Sequence, residues 1–336
     1  MNARVFGILV ALLVVLGGAA LLIKRDDSTS RPQNASALGQ PLLKDLKAAD
    51  IARIRIGEPK SALTLERKDE GWVIVEREGF PADLAKVREF VLKIISLKVA
   101  QTEPVGEKDR ARLNLDASAT QVEFAGADGK PLAKLLVGKK LFRSEPENPE
   151  KALGDGRFVM LPGDDKQVFM VSDPLLQATT KTSEWIDRRS FQIEKVKSLE
   201  VRYPGGEGWR LERAGENAAW KLGELKPGEK VDSSRANAAT YSLGLLDLAD
   251  VAPKEASQEA TGLDKPIRLA ARTLAGVSYA VRVGKLEGEN YYVKLDSGGA
   301  EKDKLFLQHV VLVPKSRLED TLKKRNDLVE KAGKKN

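Results

Sequence analysis

Ile54-Arg55-Ile56, Leu63-Thr64-Leu65-Glu66-Arg67 and Gly71-Trp72-Val73-Ile74 form one run of alternating apolar and polar residues. Leu199-Glu200-Val201, Trp209-Arg210-Leu211-Glu212-Arg213 and Trp220-Lys221-Leu222 repeat it. A period of two puts one set of side chains on each face of a strand, and the Gly, Asp, Glu and Asn residues in between break the runs. Each stretch predicts a meander of three short antiparallel strands. Their separation, roughly 145 residues, is too long for a solenoid repeat and marks a duplicated domain.

Working outward, a helix follows in both copies. Over Asp83–Ala100, Leu84, Val87, Val91, Ile94 and Ile95 recur at helical spacing; over Asp232–Ala249, an Asp-Ser-Ser cap precedes Ala239, Leu243 and Leu246. The copies then share Leu113-Asn114-Leu115-Asp116 and Thr261-Gly262-Leu263-Asp264, and strand pairs ending in Val137-Gly138-Lys139 and Val283-Gly284-Lys285. Last come Arg157–Leu161 with Val168–Val171, against Tyr291–Leu295 with Leu305-Phe306-Leu307, and closing helices over Pro174–Arg188 and Pro314–Glu330. Hairpins grouped about a helix read as α+β: two tandem similar units of mainly antiparallel sheet with an amphipathic helix in each. A parallel nucleotide-binding fold is disfavoured because strand and helix do not alternate throughout.

Upstream, Val5–Ile23 contains no charged or strongly polar side chain. At about 1.5 Å per residue, this run nearly matches a hydrocarbon core of about 30 Å. A transmembrane helix is therefore expected to lead the chain. The competing reading, a cleaved signal peptide using Gly17-Gly18-Ala19-Ala20, is disfavoured because Leu21-Leu22-Ile23 continues the apolar run. A short positive tail held inside, with the bulk of the chain exported, is the usual arrangement for such an anchor. The expected organisation is an anchor at 1–25, a flexible tether at 26–43, a first unit at 44–190, a second at 191–314 and a basic C-terminal helix and tail at 315–336.

Composition closes off several chemistries. The 336 residues include no Cys and a single His, so disulfides, thiolate metal sites and Cys nucleophiles are excluded. His309 lies in the apolar run Leu305–Val313 and reads as a structural or edge-strand residue. The net charge of +7 comes from interleaved charges of both signs, and aromatic residues are only 5%. Basic runs interleaved with aromatics are lacking, so no nucleic-acid partner is expected. Lys323-Lys324-Arg325 in the last helix would suit acidic headgroups or a partner protein, or simply a solvated end.

The recurring motifs read as structure. Val-Gly-Lys lacks the earlier Gly and following Ser or Thr of a phosphate loop, and a strand-terminating glycine explains it better. Asp116 and Asp264 sit where carboxylates for acid-base work or calcium would be placed, but loop and cap roles account for them with less. Trp72 and Trp220, equivalent and strand-borne, read as core. No catalytic, cofactor-binding or metal-binding residue is assigned, and no cofactor is expected. The junction Trp185-Ile186-Asp187-Arg188-Arg189-Ser190-Phe191 supplies the candidate partner-binding residues Trp185, Arg188 and Arg189, weighed against Trp185 packing between the domains.

Anchor, tether, paired units with Leu-x-Leu-Glu-Arg and Gly-Trp strands, and the Trp-Ile-Asp-Arg-Arg-Ser-Phe junction together resemble the bacterial family catalogued as domain of unknown function 4340. That resemblance covers nearly the whole chain after the tether and carries no catalytic signature. It implies an accessory role near ABC transporters of the gliding-motility type. The expected function is a non-enzymatic, single-pass envelope protein at the inner membrane with its bulk periplasmic, binding a partner such as ABC transporter subunits. Two other readings stay open: a hydrolase of an envelope polymer working through paired carboxylates, and a small-ligand or lipid-binding protein.

Overall fold

The computed structural model describes residues 38–330, apart from 70, 145, 165, 245 and 300–302. The first half contains β1 (Arg53–Glu58), β2 (Ser61–Lys68), β3 (Gly71–Ile74), β4 (Phe80–Pro81), helix α1 (Leu84–Ser96), β5 (Val99–Pro104), α2 (Glu107–Arg112), β6 (Thr120–Ala125), β7 (Pro131–Leu141), β8 (Gly156–Met160) and β9 (Gln167–Val171). The second half contains β10 (Ser190–Phe191), β11 (Val196–Arg202), β12 (Gly208–Glu212), β13 (Lys221–Leu222), α3 (Ser233–Tyr241), β14 (Leu246–Asp247), β15 (Asp250–Val251), α4 (Gln258–Thr261), β16 (Ile267–Thr273), β17 (Ser278–Glu287), β18 (Asn290–Ser297), α5 (Lys304–Gln308), β19 (Val311–Pro314) and α6 (Lys315–Leu318).

The strands form a nine-stranded sheet, β4-β3-β2-β1-β6-β7-β8-β9-β5, an eight-stranded sheet, β13-β12-β11-β16-β17-β18-β19-β15, and a short β10-β14 ribbon. The order β3-β2-β1-β6-β7-β8-β9-β5 of the first sheet is repeated by β13-β12-β11-β16-β17-β18-β19-β15 in the second. Register sharpens the match: Ile54 faces Phe124 and Ile56 faces Val122, as Leu199 faces Ala271 and Val201 faces Leu269. Val122 in turn faces Leu135, and Leu269 faces Val281. The duplication is thus written in the hydrogen-bond ladders as well as the sequence. Among the described residues, contacts group 38–62 with 89–180 as one compact unit, and 63–88 with 181–330 as the other.

Each unit buries the inward members of its alternating strands. Ile54, Ile56, Val122, Phe124 and Leu135 are inaccessible in the first, where Phe90 of α1 stacks on Phe124 with centroids 6.4 Å apart. In the second, Leu199, Val201, Leu211 and Val283 are equally buried, with Ala236 and Ala239 of α3. An alanine face suffices where the sheet offers Ala271 in place of Phe124.

The α+β expectation with a leading transmembrane helix is corrected. The chain is mostly antiparallel sheet, and the longest described helix, α1, has 13 residues. Among the described residues no helix is long and apolar enough to cross a membrane; Val5–Ile23 lies outside them. Helices expected over Pro174–Arg188 and Pro314–Glu330 are also replaced. In the former only Thr182–Glu184 winds, as a 3-10 turn, because Trp185 and Asp187 spend backbone groups on Asp83 and Pro81. The latter is α6 and a 3-10 turn at Arg325–Leu328, interrupted where Thr321 turns inward to donate to the Ala239 carbonyl at 2.7 Å. Leu305-Phe306-Leu307, expected as a strand, lies in α5, and β19 takes the strand's place.

Candidate functional site

The paired Leu-Asp loops and Val-Gly-Lys turns are one device used twice. In α2, Leu115 N–H donates to the Arg110 carbonyl at 2.8 Å and Asn114 N–H to Ala111 at 3.1 Å; in α4, Leu263 N–H donates to Gln258 at 2.8 Å and Gly262 N–H to Glu259 at 3.2 Å. These are Schellman caps, with Asn114 (φ 53°) and Gly262 (φ 70°) in the left-handed position. The following leucines are buried, which fixes each short helix to the sheet. The helix end presses on a strand glycine: a Cβ on Gly138 would meet the Leu113 carbonyl oxygen at 2.4 Å, and one on Gly284 the Thr261 oxygen at 2.1 Å. Glycine is required there by a neighbour's backbone, not by a phosphate.

Two of the titratable residues singled out in the sequence, Asp116 and His309, are tied up locally. Asp116 accepts from the Ser118 hydroxyl at 2.6 Å and from its N–H at 3.0 Å, and these bonds hold the carboxyl below the usual range. His309 is buried, its ring set edge-on to Phe80 with centroids 5.2 Å apart and its Nδ1 3.0 Å from the Leu305 carbonyl. Arg77, Thr182 and Asp250 form a closed chain in which the Thr182 hydroxyl donates to Asp250 at 2.5 Å and accepts from Arg77 at 2.8 Å. Among the described residues no cluster of three or more His, Asp or Glu side chains could hold a metal ion.

The junction motif divides into an inner and an outer part. Trp185 and Ile186 are buried, at 1% and 0% exposure. Asp83 N–H donates to the Trp185 carbonyl at 2.7 Å and Asp187 N–H to Pro81 at 3.0 Å, so the segment extends the sheet beyond β4. Trp185 therefore presents nothing to a partner. Arg188 and Arg189 point outward: Arg188 donates to the Ser183 carbonyl at 3.1 Å, and Arg189 pairs with Asp187 at 2.9 Å.

Arg189 also borders an open hollow of about 560 Å3. Its apolar lining includes Trp72, Val73, Pro81 and Leu305, and its cations are Lys68, Arg189 and Lys304. Trp72 and Trp220, alike in sequence, diverge here. Trp220 is buried; its Nε1–H donates to Asn237 at 2.8 Å, and the Arg213 guanidinium lies 4.5 Å over its ring. Trp72 is only partly buried and opens onto the hollow, so the expectation of core packing holds for Trp220 and not fully for Trp72. Local sequence does not separate the two, since each lies in an alternating apolar and polar run, Trp72 within β3 and Trp220 just before β13; the signal lies in their distant neighbours.

A family model described as Domain of unknown function (DUF4340) matches residues 72–266, a span that opens at Trp72 and contains the junction motif. No curated protein and no solved structure matches the chain.

Proposed function

On the premise that this chain belongs to the DUF4340 family, we propose that it is a non-enzymatic, partner-binding component of the bacterial cell envelope, an accessory to an ABC-type transport system. One observation carries the binding reading: a partly exposed tryptophan and an arginine share a concave surface, Trp72 and Arg189 at the 560 Å3 hollow. Tryptophan and arginine dominate the energetics of protein contacts because each combines a large rigid surface with polar reach. Backbone pairing on both sides of the hollow, β3 with β4 and Asp187 with Pro81, holds them in place before a partner arrives.

The placement rests on sequence: the uncharged stretch Val5–Ile23 supports retention at the inner membrane with the bulk of the chain periplasmic. The transport context rests on the family resemblance. Co-purification of the full chain from membranes in mild detergent tests the reading. ABC transporter subunits retained by wild type and lost with Trp72→Ala and Arg189→Glu support it. A chain recovered alone from cells that express those subunits contradicts it.

A further inference from the structure

The outer face of the second sheet carries a row of arginines that no local motif announces. Arg202 on β11 faces Arg268 on β16, which faces Arg282 on β17. Neighbouring strands run about 4.8 Å apart, so three guanidinium side chains stand side by side across the sheet. Like charges directly opposite one another oppose folding. Two are partly neutralised: Arg202 pairs with Glu200, and Arg282 makes a two-pronged contact with Asp296, Nε–Oδ2 and Nη2–Oδ1 both 2.8 Å. Arg268 is exposed and, among the described residues, has no ion-pair partner.

Beside the row, Ala270 faces Ala280, and these small side chains leave a trough of about 310 Å3 edged by Glu200, the three arginines and Asp296. A second hollow of about 490 Å3 adjoins it, sharing Glu200 and Arg202 and adding Arg210 and Arg325. The first sheet supplies an internal control, because its registers identify equivalent positions. The row there reads Gly57, Gln121 and Leu136, and the Ala270–Ala280 pair is replaced by Glu123 facing Lys134, joined by a 2.6 Å ion pair that fills the space. Both copies keep the apolar alternation of the inner face. On the outer face one copy carries the Glu123–Lys134 pair beside a single arginine, Arg55, and the other sets three arginines abreast beside an alanine trough.

We infer that the Arg202–Arg268–Arg282 row and its alanine trough form a docking surface for an acidic segment of a protein partner, with Arg268 taking its leading carboxylate. Planar guanidinium groups grip carboxylates in pairs of parallel hydrogen bonds, and a rigid sheet holds them at fixed spacing. Glu200 and Asp296 at the rim select among anions. They leave room for separate carboxylates placed between them but confront a continuous phosphate array such as nucleic acid or an anionic bilayer. The trough also offers no aromatic side chain for a base to stack on. This surface is built from strands other than those framing the Trp72 hollow, and the inference stands without that site.

The test is fluorescence anisotropy with the full chain in detergent and a labelled peptide of alternating Glu and Ser, alongside single-stranded DNA and phosphatidylglycerol vesicles. Arg268→Glu should weaken peptide binding roughly tenfold or more, Arg268→Lys should restore part of it, and Ala270→Tyr should weaken it by filling the trough. Arg88→Glu, at an exposed position of α1, changes the net charge equally and should have little effect. Equal weakening by Arg88→Glu and Arg268→Glu, no peptide binding by a wild-type chain of native thermal stability, or preference for DNA or vesicles would overturn the assignment.

Discussion

Gly138 packs its α-carbon directly against the carbonyl of Leu113, so closely that Lys139, the next residue, donates its N–H to that same oxygen at 2.8 Å. Gly284 repeats the approach at Thr261, closer still. A Cβ at either place must displace a helix end that is itself locked by a Schellman cap. Gly138→Ala and Gly284→Ala should each destabilise their unit by about 1–3 kcal/mol, the usual range for overpacking. Gly205→Ala, where nothing lies within 4 Å, should be close to neutral. Urea denaturation followed by circular dichroism measures all three, and equal midpoints would remove the close-approach account.

Trp72 and Trp220 should behave differently. Trp220→Phe removes the hydrogen bond to Asn237 and weakens the stack under Arg213, whose own Nε–H reaches the Val196 carbonyl at 2.8 Å. A loss of about 1–3 kcal/mol is expected from the lost ring contact and a partly buried partner left unsatisfied. Trp72→Phe should leave stability nearly unchanged. Iodide should quench Trp72 fluorescence and spare Trp220 in single-tryptophan variants; the reverse order would refute the division between hollow and core.

Glu229 gives a signature in acid. Arg325 donates to both carboxylate oxygens, at 2.6 and 3.3 Å, and Lys226 adds its backbone N–H at 2.9 Å. Together they hold the carboxyl down from 4.5 to about 2. Because the folded value lies below the unfolded one, the stabilisation is present above about pH 4.5 and fades as pH falls towards 2. The stability difference between wild type and Glu229→Gln should therefore be visible at pH 7 and vanish near pH 2. A difference constant across that range would show that Glu229 does not stabilise through its charge.

What was legible in the sequence was whatever a single strand or a repeat encodes. Ile54 and Ile56, or Leu199 and Val201, alternate with polar neighbours, and their echo revealed the duplication before any register was known. The closing stretches are not legible in the same way, because windows around Leu175 to Trp185 and around Leu318 to Leu328 carry no record of distant partners. Trp185 and Asp187 are claimed by Asp83 and Pro81, more than a hundred positions upstream, and Thr321 by Ala239. Leu305-Phe306-Leu307 is apolar enough for either helix or strand, and its neighbours decided for helix. The arginine row was beyond reach for the same reason. Arg202, Arg268 and Arg282 are unremarkable in sequence and become a site only when two strand registers set them abreast.

Partner binding at the envelope is the central claim, and photo-crosslinking in intact cells addresses it most directly. A benzophenone amino acid replacing Trp72 should yield a discrete adduct containing an ABC transporter subunit, identified by mass spectrometry and lost when Arg189→Glu is added. The same group at exposed Leu153 serves as control. Adducts from Trp72 that match those from Leu153, or none containing an envelope transport component, would contradict the account.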